Sequence, residues 1–123
     1  MTAFILFGHG SRVESANEAV RMTARQLAQA CGFPVEPAFL ELGQPLLAGA
    51  VQTLVEQGAQ KIVVLPYFLT LGTHLQRDLP QLVREAAAMH GPQIAITVTP
   101  PLDGHPALVT ALLDRAGTAL AGG

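Results

Sequence analysis

The sequence holds a single cysteine and no tryptophan, its aromatic residues are five phenylalanines and one tyrosine, and only 13% of its positions are charged. A lone Cys31 can close no internal disulfide and build no thiolate metal cluster. Seven Lys and Arg residues against nine Asp and Glu leave a formal net charge of -2. Without a basic field nothing holds a phosphodiester backbone, so no nucleic acid partner is expected. Long hydrophobic runs are also missing. The longest, Ile62 to Leu69, is interrupted by Pro66 and falls far short of the roughly 20 residues that cross a bilayer. No membrane association is therefore expected. The opening Met1 to Gly10 lacks the positive flank and the length of a signal peptide, and with the cysteine usage this predicts a cytoplasmic protein. There is no internal repeat, no linker, and no low-complexity stretch beyond the Ala/Gly-rich segment Ala116 to Gly123, which is expected to fray.

Hydrophobic residues, by contrast, are abundant: 50% of 123 positions, with a mean hydropathy of +0.38. A chain of this length buries about two thirds of its unfolded surface, so residues 1–123 are read as a single domain with one core. The apolar surplus in so small a domain also implies an apolar interface, most simply with a second copy.

The apolar pattern alternates between short continuous runs and longer stretches with period three to four. Strands are expected at Ala3 to Phe7, Val35 to Leu40, Lys61 to Leu65 and Ile94 to Val98. The Ile62-Val63-Val64-Leu65 run suits a parallel strand covered on both faces. Helices are expected from Ser15 to Cys31, with Ala16, Val20, Thr23, Leu27 and Ala30 inward; from Pro45 to Gly58, with Leu47, Ala50, Val51, Leu54 and Val55 inward; from an Asp78 cap with Pro80 in the first turn to Gly91, with Leu82, Val83, Ala86 and Ala87 inward; and from Pro106 to Leu120. Four strand–helix pairs predict an α/β fold: an open parallel four-stranded sheet with helices on both faces.

In such sheets ligands bind beyond the carboxyl ends of the strands, where strand order reverses. The first strand delivers Gly8-His9-Gly10-Ser11-Arg12 there, the second Glu41, the third the loop with His74, and the fourth Asp103 and His105. With a flavodoxin-like order 2-1-3-4, His9 and His74 face one crevice. Imidazole suits divalent first-row metals and also accepts protons near neutral pH. A single loop histidine is usually just a solvated side chain; the joint placement of His9 and His74 is what singles them out. His90, at a helix end, only complements the dipole, and Glu41 reads equally as a turn carboxylate. Glycines on both sides of His9 allow close backbone approach to an anion, with Arg12 as partner, although a tight turn needs the same glycines. Tyr67, Phe68, Leu69 and Leu71 crowd apolar side chains where polar ones are expected, which suits a wide apolar ligand or a subunit interface.

These residues carry a resemblance. Phe7-Gly8-His9-Gly10-Ser11-Arg12, Ala38-Phe39-Leu40-Glu41, Val64-Leu65-Pro66-Tyr67-Phe68-Leu69 running into Gly72-Thr73-His74, and Asp78-Leu79-Pro80 resemble the CbiX/SirB family of sirohydrochlorin chelatases, in order and spacing, over nearly the whole chain. The resemblance implies half of a two-lobed class II chelatase, completed as a homodimer. It implies ATP-independent insertion of a divalent metal, Co2+ foremost and Fe2+ or Ni2+ as alternatives, into sirohydrochlorin, in cobalamin or siroheme biosynthesis. The metal is then a substrate, and no organic cofactor is implied. On this resemblance His9 and His74 bind the metal, and Glu41 joins them in taking up protons. Ser11, Arg12, Phe68, Leu69 and Thr73 contact the macrocycle. The chain departs from many relatives at Pro101-Leu102-Asp103-Gly104-His105-Pro106, which leaves His105 without an implied role. Three rivals stay open on the residues alone: phosphoryl transfer through a phosphohistidine at His9, a flavin-binding module, for which a Ser/Thr-rich phosphate cradle is missing, and a metal carrier without catalysis.

Overall fold

A computed structural model describes residues 1–122. Strands β1 (Thr2–Gly8), β2 (Val35–Phe39), β3 (Lys61–Pro66) and β4 (Ala95–Val98) alternate with helices α1 (Glu14–Cys31), α2 (Leu47–Glu56), α3 (Thr73–Ala88) and α4 (Pro106–Gly122). All strand pairings are parallel and the order is β2-β1-β3-β4, so the expected topology is present. The chain moves from β1 to β2 in one direction and from β2 through β3 to β4 in the other. Right-handed crossovers therefore put α1 on one face and α2 with α3 on the other.

Alternation along the strands distributes side chains between these faces. Ala3, Ile5 and Phe7 of β1 and Ile62 and Val64 of β3 join Leu47, Ala50, Val51 and Leu54 of α2 and Leu75, Leu79 and Ala86 of α3 in one core. On the opposite face Phe4 meets Phe33 edge-on, with ring centroids 5.7 Å apart.

Three expectations need correction. The first concerns α3, which begins at Thr73 behind an extended Gly72, so Asp78 does not cap it and Pro80 lies inside it. An interior proline costs about 3 kcal/mol. The earlier start brings Leu75 and Leu79 into the core at 8% and 1% exposure, and burying two leucines contributes about 1.5–3 kcal/mol each, which offsets the proline. Leu82 and Val83 pack only at the margin of that core. The second correction is in α1: its inward stripe contains Asn17 and Ala24, while Ala16 and Ala30 are exposed. A hydropathy pattern assigns an asparagine to solvent, and here hydrogen bonding reverses that. The third is the Ala/Gly-rich end, which stays helical to Gly122, since alanine is the strongest helix former; Gly123 lies outside the described residues.

Helix α4 has no buried residue, and its Val109, Leu112, Leu113 and Leu120 are 60–84% exposed. Among the described residues no helix is long and apolar enough to cross a membrane.

Candidate metal-binding cleft

The carboxyl ends of β1 and of its edge-strand neighbour β2 are joined beyond the sheet itself. Past the last β1–β2 register pair, Gly8 with Phe39, the Leu40 amide donates to the Gly8 carbonyl (2.9 Å) and the Glu41 amide to the His9 carbonyl (3.1 Å). Two loops are thus zipped together, and that places His9 beside Glu41. Gly10 makes the close approach feasible: its φ is +94°, and a Cβ there would overlap the Glu41 carbonyl oxygen. Leu42 also takes a left-handed φ of 56°, unusual for a branched residue.

Asn17 holds this strained turn. Its Oδ1 accepts the Ser11 amide (2.9 Å), and its Nδ2 donates to the carbonyls of Ser11 (2.8 Å) and Leu42 (2.8 Å). Behind it, hydrogen bonds from Arg21 and then Asn17 hold the Glu14 carboxyl below the ordinary carboxylate range.

The loop after β3 is pinned from two sides. The Tyr67 amide donates to Phe7, and the amides of Leu102 and Asp103 donate to the carbonyls of Phe68 and Leu69 (2.9 and 2.8 Å). Phe68 rests against Phe7 at 6.1 Å between centroids. The chain then enters α3, whose first turn carries His74. Between these loops lies a cavity of about 290 Å³ lined by His9, Leu40, Phe68, Thr70, Gly72, Thr73, His74, Leu75 and Asp78.

The chemistry of the two histidines follows from their neighbours. His9 Nδ1 lies 3.1 Å from the Gly10 carbonyl oxygen, which can only accept, so Nδ1 carries a proton and, in the neutral ring, Nε2 presents a lone pair. That Nε2 faces Glu41 Oε1 at 3.9 Å, with both side chains more than half exposed. The distance is too long for a hydrogen bond and leaves room for a cation held by both. His74 differs, because its Nδ1 lies 3.2 Å from Arg77 Nη2; a guanidinium can only donate, so this Nδ1 accepts. Among the described residues no three His, Cys, Asp or Glu side chains are drawn close enough to enclose a metal. Among the described residues the arrangement is therefore not the four-ligand cage of a structural metal.

Of the residues singled out from sequence, His9, His74, Phe68 and Thr73 line the cleft and Glu41 flanks it through His9. Ser11 turns its hydroxyl to the Val13 amide (3.0 Å), Arg12 is exposed and Leu69 is 63% exposed; none of the three lines the cavity. His105 accepts the Ala107 amide on Nδ1 (3.0 Å) and so caps the first turn of α4. Sequence reasoning missed Asn17, Arg77 and the place of Asp78 in the cleft. Asp78 sits four residues after His74, hence on the same helix face, a signal hidden only by placing the helix start too late.

Comparison with known proteins bears on the family and the fold. Residues 3–119 match the CbiX family. The sirohydrochlorin cobaltochelatase of Sulfolobus acidocaldarius is 32% identical over 121 residues, covering 98% of this chain and 94% of that one. The chloroplastic sirohydrochlorin ferrochelatase of Arabidopsis thaliana is 36% identical over 90% of this chain and 49% of its own length. The crystal structure of the sirohydrochlorin chelatase SirB from Bacillus subtilis subspecies spizizenii in complex with cobalt superposes with a TM-score of 0.86 at 30% identity, over 95% of this chain and 50% of that one. The chain thus spans about half the length of the plant and Bacillus proteins. The extent of the family match, the parallel 2-1-3-4 sheet and the paired histidine loops together place the chain in the CbiX family.

Proposed function

We propose that this protein is a sirohydrochlorin chelatase that inserts a divalent metal, Co2+ foremost and Fe2+ or Ni2+ as alternatives, without ATP, in cobalamin or siroheme biosynthesis. The observation that carries this reading is the His9 Nε2 lone pair facing the Glu41 carboxylate at the mouth of an apolar cleft that also holds His74. His9 and His74 hold the ion, and Phe68 and Leu40 contact the face of the macrocycle. Insertion exchanges one metal dication for the two pyrrole protons of the ring. His9 and Glu41 are placed to take up those protons as the metal–nitrogen bonds form. Ser11, Arg12 and Leu69, outside the cavity lining, are assigned to the outer rim of a ring too wide for one cleft.

The active unit in this reading is a homodimer. A cavity of about 290 Å³ lies at the low end of small-molecule sites, which run from roughly 300 to 1,000 Å³, so one chain holds only an edge of a tetrapyrrole. Several relatives are about twice as long, and α4 offers an unpacked apolar face. Replacing Leu112 and Leu113 together with Asp is expected to convert the dimer to monomers, seen as a halved mass by light scattering, and to depress insertion. A wild-type chain that is monomeric at assay concentration and still active would contradict the dimer. Activity is tested by the visible spectrum of sirohydrochlorin with Co2+ under anaerobic conditions. Catalytic amounts of protein should accelerate formation of the metallated spectrum; metal binding without acceleration would favour the carrier reading.

A further inference from the structure

Of the seven cationic side chains, one alone among the described residues, itself outside the cavity lining, bonds residues that line the cleft. Lys61 opens β3 at the opposite end of the sheet. Arg21 and Arg25 are engaged by Glu14 and Glu18, Arg84 by Gln81 and Arg115 by Asp114, and Arg12 lies outside the lining. Arg77 instead bonds two lining residues at once: Nη2 to His74 Nδ1 at 3.2 Å and Nε to Asp78 Oδ1 at 3.3 Å. Its side chain is 73% exposed, and exposed contacts of this kind contribute little and break cheaply.

We infer that Arg77 recognises a peripheral carboxylate of the macrocycle and, by turning to it, releases His74 Nδ1 for the metal. The inference rests on the chelatase reading, since it takes from that reading a substrate that is an apolar ring bearing carboxylates. A guanidinium binds a carboxylate through two parallel, charge-assisted hydrogen bonds. The imidazole nitrogen offers it one neutral acceptor, and Asp78 a single contact at the margin of hydrogen-bond range. The incoming carboxylate therefore outcompetes both. The same movement uncovers the only lone pair of neutral His74, which Arg77 blocks in the free protein. Ring binding and metal acquisition become coupled: the anionic substrate prepares the second imidazole. An uncharged ring of the same shape gains no such response.

Two equilibrium titrations of the intact protein test this, each with wild type and Arg77→Ala, an exposed helix position where alanine is well tolerated. Binding of metal-free sirohydrochlorin, followed by its absorption, should weaken by about 10-fold in the variant. Methyl-esterified sirohydrochlorin should bind both proteins alike. Binding of Co2+ to the ring-free protein should tighten in the variant, because a competing donor and a positive charge are gone. Equal affinity of the two proteins for sirohydrochlorin would overturn the inference. A loss that persists with the ester would overturn carboxylate recognition, and unchanged Co2+ affinity would overturn the coupling. A wild-type protein that binds the ring in an Arg77-dependent way yet inserts no metal would instead remove the chelatase reading and leave Arg77 as the carboxylate reader.

Discussion

His9→Ala is expected to lower kcat/KM for Co2+ insertion by roughly 10²–10⁴-fold, the range a positioned acid–base group contributes, while the melting temperature stays near that of the wild type. The side chain is more than half exposed and among the described residues it hydrogen-bonds only the adjacent Gly10 carbonyl, so its removal leaves no cavity and no buried orphan. The loss falls on chemistry because, in the neutral ring, the proton on Nδ1 leaves Nε2 to present its lone pair toward Glu41. Glu41→Gln should reproduce part of the effect: the amide keeps the shape and an acceptor oxygen and loses the charge that attracts a dication. Steady-state insertion, with circular dichroism as a control for folding, checks both variants. Insertion by His9→Ala at the wild-type rate would remove His9 from the mechanism.

Asn17→Ala should instead damage the fold. Asn17 is 1% exposed inside α1 and joins the Ser11 amide, the Ser11 carbonyl and the Leu42 carbonyl. Ser11 is half-buried and Leu42 exposed, so each lost hydrogen bond costs about 0.5–1.5 kcal/mol. The variant should lose about 3 kcal/mol, or on the order of 10 °C in melting temperature for a domain of this size. Leu42, at φ 56°, then loses the contact that holds its carbonyl, and the turn carrying Glu41 can relax. Insertion should therefore fall more than the unfolded fraction explains. Asn17→Asp is expected to be no rescue, since it keeps the acceptor for Ser11 but directs a carboxylate at two carbonyls and toward Glu14. Thermal unfolding of the three proteins decides; a change below about 3 °C in Asn17→Ala would contradict this account of the loop.

The difference between these two residues marks what a pattern reading can reach. His9 and His74 were legible because a parallel sheet puts its ligands beyond the strand ends, and the apolar runs of β1 and β3 locate those ends. Phe68 followed from the same rule, and Thr73 from the family resemblance alone. Asn17 was not legible: a polar residue in an amphipathic stripe is assigned outward unless the carbonyls it serves are known, and one of them, that of Leu42, belongs to a turn 25 positions away. Arg77 and Asp78 were obscured by the start of α3, where a proline and an aspartate imitate a first turn and burial of Leu75 and Leu79 prevails. Ser11 and Arg12 lie outside the cavity lining, beyond the turn that Gly10 makes at φ +94°, and spacing does not encode such a dihedral angle.

The central claim is that the cleft at His9 hands its metal to the ring. The direct measurement is a single-turnover transfer: protein loaded with one equivalent of Co2+, freed of excess metal, and mixed anaerobically with sirohydrochlorin while the visible spectrum is recorded. The account predicts that the metallated spectrum appears in proportion to the loaded protein and that His9→Ala abolishes the transfer. A ring that binds and stays metal-free while Co2+ remains on the protein would contradict it.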